Sequence, residues 1–160
     1  MDLKIVKIEP IDGVNIILGQ AHFIKTVEDL HEAIVGTVPG VKFGIGFCEA
    51  SAKRLIRHSG NDSDLEKLAM NKAFEIGAGH SFIIYLKDAY PINIMRSIKE
   101  VPEVCNIYCA TANPIEVIIV ETNLGRGILG IIDGYTPKGI EGMEEVEERK
   151  KFLRDIGYKL

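Results

Sequence analysis

The run from His80 to Leu86 is almost continuously apolar, and it constrains the fold more than any other stretch. It is far shorter than the roughly 20 residues of a membrane-spanning helix. Gly77-Ala78-Gly79 precedes it and Lys87-Asp88 follows, so it reads as a short strand buried on both faces. Such a strand needs cover on each side. A chain of 160 residues can supply that as one domain, 1–160, burying roughly 70% of its unfolded surface.

The neighbouring segments suggest how. Val41 to Phe47 reads as a strand. Ser63-Asp64-Leu65-Glu66 is a capping box, Leu65, Leu68, Ala69, Ala73 and Ile76 form a buried stripe, and Gly77 supplies a left-handed stop. Pro91 opens another helix with Ile92, Met95 and Ile98 on one side, Pro102 ends it, and Val104 to Ala110 is again a strand. Strand, helix, strand, helix, strand predicts two right-handed crossovers and a central parallel βαβαβ unit.

Antiparallel hairpins are expected on either side. Lys4 to Glu9 and Val14 to Leu18 flank a turn at Ile11-Asp12-Gly13. A helix follows, with Thr26 as cap, Val27, Leu30 and Ile34 on one face, and Gly36 at its end. Ile115 to Glu121 and Ile128 to Asp133 are joined by Thr122-Asn123-Leu124-Gly125-Arg126-Gly127. A terminal helix from Met143 to Ile156 places Met143, Val146, Leu153 and Ile156 on one face, with Glu145–Arg149 and Glu147–Lys151 as favourable pairs. The expected fold is a single α/β domain with a mixed sheet.

Charge and cysteine usage narrow the function. With 19 Lys+Arg against 23 Asp+Glu the net charge is −4, which favours neither nucleic acid nor an anionic membrane as partner. At 46% apolar residues the chain is not intrinsically disordered. Cys48, Cys105 and Cys109 form no paired framework and no zinc spacing, so free thiols are expected and no metal ligand is assigned. Met1-Asp2-Leu3-Lys4-Ile5 carries charge where a signal peptide needs an apolar core, which predicts a cytoplasmic location. Abundant isoleucine, lysine and glutamate without tryptophan resemble thermophile usage.

Gly125-Arg126-Gly127-Ile128-Leu129-Gly130 matches G-x-G-x-x-G in letters, but the β-branched residues that follow do not open the helix a dinucleotide site requires. Two readings remain for it: a plain hairpin turn, or a turn whose Gly125 and Gly127 expose backbone N–H groups while Arg126 offers a fork to phosphate. Ligands of open parallel sheets bind at the carboxyl ends of strands. In the expected fold those ends gather Glu49, Ser51, Asp88, Thr111 and Asn113 on one rim, with Lys53 and Asn93 just beyond, a set suited to a sugar or base. His80 reads as a packed, hydrogen-bonded residue or a functional one, and Arg54, Arg57 and His58 form a small basic cluster that is either plain surface or a contact for phosphate.

Several segments in order resemble a known family: Gly44-Ile45-Gly46-Phe47-Cys48-Glu49-Ala50-Ser51, Gly77-Ala78-Gly79-His80-Ser81-Phe82, Val101-Pro102-Glu103-Val104-Cys105, Cys109-Ala110-Thr111-Ala112-Asn113-Pro114 and Glu121-Thr122-Asn123-Leu124-Gly125-Arg126-Gly127. They are similar to the archaeal and bacterial adenosine-specific kinases. The resemblance implies a compact α/β protein that binds adenosine or AMP and self-associates as trimers or multiples of them. Three functions compete. An enzyme would move a phosphoryl group from ATP with Mg²⁺, with Glu49, Glu121 and Asp133 as the candidate carboxylates and Arg126 as charge stabiliser. A non-catalytic adenylate sensor or reservoir would use the same contacts, and an oligomeric scaffold would use none.

Overall fold

In the computed structural model, which describes residues 1–160, the apolar run is the middle strand of a five-stranded sheet. The first half of the chain contains β1 (Asp2–Ile8), β2 (Val14–Ala21), α1 (Thr26–Thr37), β3 (Lys42–Cys48), β4 (Ile56–Gly60) and α2 (Ser63–Ile76). The second half contains β5 (Ser81–Lys87), α3 (Pro91–Glu100), β6 (Val104–Thr111), β7 (Ile115–Glu121), β8 (Arg126–Asp133) and α4 (Met143–Asp155). The large sheet has the order β4-β3-β5-β2-β6, and a three-stranded sheet has the order β1-β7-β8.

Every pair of neighbouring strands is antiparallel, so the expected parallel βαβαβ unit is absent. Its cause is β4, whose sequence Ile-Arg-His-Ser-Gly carries one large apolar residue and gives no strand-like alternation. β4 turns the chain back beside β3, so α2 starts from the reversed direction and β5 runs against β3. β2 then inserts between β5 and β6, separating the two strands expected to be neighbours. The N-terminal hairpin is also absent: β1 pairs with β7, and β2 joins the other sheet. The hairpin of β7 and β8 forms as expected.

Strand alternation divides the core. Phe82, Ile84 and Leu86 of β5 face α1 and α3, together with Ile17, Phe43, Ile45 and Phe47. Ile83 and Tyr85 face α2 and the small sheet, whose Val6, Ile8, Ile115, Val117 and Ile119 close that side. Full burial of a Phe, Ile or Leu side chain contributes about 1.5–3 kcal/mol, so both faces of β5 are strongly held. In β3 the residues facing α2 are glycines. A Cβ on Gly44 would lie 2.2 Å from Glu66 N, and one on Gly46 would lie 2.3 Å from the Ala69 carbonyl oxygen. Helix α2 therefore rests directly on the strand backbone.

Helix ends follow local chemistry with small departures. Asp62, not Ser63, caps α2, accepting from the Asp64 and Leu65 N–H groups, and Gly77 closes it at φ 62°. Leu68 is exposed, so the buried stripe of α2 is Leu65, Ala69, Ala73 and Ile76. Thr26 is buried and donates its hydroxyl proton to the Phe23 carbonyl instead of capping α1, which runs through Gly36 to Thr37. In α3 the inward pair is Ile94 and Ile98, while Ile92 is exposed. Helix α4 buries no residue, and its ion pairs join Arg149 to Glu141, Lys150 to Glu147 and Lys151 to Asp155 rather than the expected partners. The three cysteines are free, with Cys48 and Cys109 buried.

Candidate functional site

Because β3 and β5 run in opposite directions, the expected rim falls into two halves at opposite ends of the sheet. A seven-residue strand separates them by roughly 20 Å. Asp88, Asn93, Thr111, Asn113 and Asp133 lie at one end, where all but Asp88 bond to neighbouring groups. Asn93 accepts from the Tyr90 N–H at the start of α3, the Thr111 hydroxyl accepts from the Asn113 N–H, and the Asn113 amide donates to Asp133 at 3.1 Å. A depression of about 660 Å³ beside them includes Asp12 and Asp88 and no cationic side chain in its lining. That sign is wrong for a phosphate.

At the other end, Glu49, Gly125, Arg126 and Gly127 line one cavity of about 660 Å³, between the end of α2, the loop after β3 and the β7–β8 hairpin. Ser51 borders it through its bonds to Glu49. The size suits a nucleoside or nucleotide. Arg54, Phe74, Gly77, Gly79, Thr122 and Leu124 also line it. Phe74 and Leu124 are exposed, one on α2 and one at the hairpin tip. Gly77 leaves room for Arg126, whose Nη1 would lie 3.2 Å from a Cβ there.

Glu49 organises the loop after β3. Its Oε1 accepts from the Ala50 N–H at 2.9 Å, the Ser51 N–H at 3.2 Å and the Ser51 hydroxyl at 3.1 Å, and its Oε2 accepts from Arg57 Nε at 3.1 Å. The side chain is only 7% exposed. Burial pushes its carboxyl up, but Arg57 and the Ser51 and Ala50 donors outweigh it and hold the group below the usual carboxylate range. His80 has φ 62°, stacks on Phe47 at 5.9 Å, and places Nε2 3.8 Å from Glu49.

Arg126 is built into the framework. Its Nε donates to Glu121 and its Nη1 donates at 3.0 Å to the Glu75 carbonyl at the end of α2, where a cation also meets the negative end of the helix dipole. Glu121 also receives Lys4 at 2.8 Å, and Lys4 and Arg126 together hold its carboxyl below the usual range. Arg54, by contrast, has φ 50°, and its side chain makes no hydrogen bond or ion pair. No three His, Cys, Asp or Glu side chains are grouped to hold a metal ion; both Glu49 oxygens accept N–H or O–H groups, and Glu121 Oε2 accepts from Lys4 and Arg126. The carboxylates therefore do not form a Mg²⁺ cage.

Sequence reasoning reached Glu49 and the Gly125–Gly127 turn. It missed Phe74 and Leu124 as cavity residues, and it placed Arg54 in a basic cluster open to surface or phosphate-binding readings. Phe74 stands outside the apolar stripe of its helix, which is the one local signal that sets it apart.

Comparison with known proteins agrees with this framework. The sequence model of a family described as adenosine specific kinase matches residues 6–159. A search of curated proteins returned no match. Among solved structures, the chain is similar to the PH1918 protein from Pyrococcus horikoshii OT3, with 46% identity over 99% of this chain and 98% of that one and a TM-score of 0.95. The chain belongs to the adenosine specific kinase family.

Proposed function

From that membership we propose that the chain binds adenosine or AMP in the cavity beneath the β7–β8 hairpin. The observation that carries this reading is a cavity lining that combines the exposed apolar Phe74 and Leu124 with Arg54, Arg126 and four glycines. Phe74 and Leu124 offer a slot for a flat base, since every base has a face that stacks on an aromatic ring. Arg54, with Gly125 in the turn and Gly127 at the start of β8, favours the phosphate end. Ser51, Glu49 and Glu121 lie on the same side, within reach of the ribose. Asn93, Thr111, Asn113 and Asp133 lie at the far end and do not share this ligand within one chain.

The family description adds phosphoryl transfer. In that reaction the bond from the γ-phosphorus of ATP to its bridging oxygen breaks, and a ribose hydroxyl oxygen takes the phosphoryl group and loses its proton. ATP would bring Mg²⁺ bound to its own phosphates. One observation favours the alternative, a non-catalytic adenylate sensor or reservoir. Glu49 in the cavity lining and Glu121, bonded to Arg126 beside it, are engaged by donors and held below the usual range, which makes them weak proton acceptors.

Self-association belongs to the same reading. Leu3, Ile5 and Ile132 stand exposed on the three-stranded sheet, Met143 and Phe152 on α4, and Ile156 just after it. Exposed apolar side chains of this kind can supply an association surface.

Calorimetric titration of AMP, adenosine, ATP and GMP tests the binding, and labelled γ-phosphate transfer from MgATP then separates enzyme from sensor. AMP or adenosine should bind, and Phe74→Ala should weaken both. Equal affinity for AMP and GMP would refute the adenine reading.

A further inference from the structure

Resting on the adenylate reading of this cavity, we propose that Arg54 is the residue that binds the ligand's phosphate monoester. The charged groups lining the cavity are Glu49, Arg54 and Arg126. Glu49 is paired with Arg57, and Arg126 with Glu121, which it shares with Lys4. Arg54 is the exposed, positive lining charge whose side chain has no bonded partner. Arg126 also gives Nη1 to the Glu75 carbonyl, so its guanidinium ties the hairpin to α2. The guanidinium of Arg54 keeps all its donors and can grip two phosphate oxygens at once.

The backbone around Arg54 is shaped to place it. Ala52 and Arg54 have φ 51° and 50°, a left-handed conformation that side chains with a Cβ adopt reluctantly. The Arg54 N–H donates to the Ser51 carbonyl at 3.0 Å, and Ser51 is fixed in turn by the buried Glu49 carboxylate. Glu49 thus acts as a positioning residue: it holds the turn that presents Arg54 to the cavity.

The test is Arg54→Gly, with Arg54→Gln as a second variant, each titrated with AMP and with adenosine and melted without ligand. Glycine accepts φ near 50° without strain, so Arg54→Gly should melt at or above the wild-type temperature. AMP should bind ten- to a hundredfold more weakly to both variants, the loss of one charge-assisted contact, while adenosine stays within twofold. AMP affinity within twofold of wild type would overturn the proposal, and so would equal loss of AMP and adenosine. Amide NMR with inorganic phosphate alone separates this inference from the adenylate reading. If wild type binds no nucleotide but phosphate shifts the Gly77, Gly79 and Gly125 resonances only when Arg54 is present, the adenylate reading falls and Arg54 stands. If phosphate shifts them equally in Arg54→Gly, the role of Arg54 falls.

Discussion

Adding one methyl group to Gly44 should destabilise the protein more than most surface deletions. The new Cβ would sit 2.2 Å from Glu66 N, 2.3 Å from the Leu65 carbonyl carbon and 2.4 Å from Glu66 Cα, all backbone atoms of α2. Ordinary contact begins at 3.4 Å, so the helix must retreat by roughly 1.2 Å, 3.4 less 2.2. A gap of 0.5–1 Å already forfeits about a quarter to a half of the attraction between packed atoms. Leu65, Ala69 and Ala73 would all lose contact with the sheet. Overpacking costs about 1–3 kcal/mol, and the rigid neighbour places Gly44→Ala near the upper end. For a domain of this size each kcal/mol lowers the melting temperature by about 2–4 °C, so the expected drop is about 6–12 °C. Gly36→Ala is the control: no atom lies within 4 Å of its Cβ, it stands in α1, and alanine is the better helix former. Its melting temperature should hold or rise slightly. Thermal melts of the two variants settle the matter, and a Gly44→Ala protein melting within 2 °C of wild type would refute the close β3–α2 contact.

Three further outcomes are expected. Glu49→Gln should cost about 1.5–3 kcal/mol in urea melts near neutral pH, because it removes a charge that accepts four hydrogen bonds. Its folded carboxyl titrates below the usual value of 4.5, so the stabilisation is complete above that pH and lost as pH falls through the lower folded value; a difference between the proteins that persists unchanged at strongly acid pH would contradict this. Arg126→Ala should lower stability by about 1–2 kcal/mol and weaken AMP and adenosine to similar degrees, since it frees the hairpin from α2, whereas loss of AMP alone would make Arg126 a phosphate ligand. Native protein should react with one equivalent of Ellman's reagent per chain through exposed Cys105, and with three after unfolding: burial raises the Cys48 thiol, and burial with the nearby Asp133 charge pushes Cys109 up to about 12.

Elements were readable where a short stretch carries its own instruction. The alternation-free run at β5, the glycine stop at Gly77 and the proline start at Pro91 each act through neighbours in sequence. Strand direction was not readable, because it turned on β4, which joins β3 through backbone bonds and buries almost nothing. Apolar spacing reports which face of a strand is covered, not which strand lies beside it. The site divided in the same way. Glu49 and Arg126 were visible through their motifs, but the separation of Glu49 from Asp88 and Thr111 depends on strand direction. Arg54 was legible only as one of a basic cluster, and the fold alone separates it from Arg57 by placing it on the cavity lining beside an arginine already bonded on two sides.

The insertion of β2 between β5 and β6 also governs how the chain reaches this state. β2 ends at Ala21, yet its first partner begins at Ser81 and its second at Val104, and β1 must wait for β7 at Ile115. As the chain leaves the ribosome, the first 60 residues can pair only β3 with β4. Such distant pairings make folding slow, on the order of milliseconds to seconds, because loop closure precedes its reward. Until β5 emerges, Ile16, Ile17 and Leu18 present a bare strand that neighbouring nascent chains could extend. The same interleaving works in reverse after folding. No strand of the sheet interior can peel away without breaking ladders on both sides, so loss of the large sheet is expected to be one cooperative event.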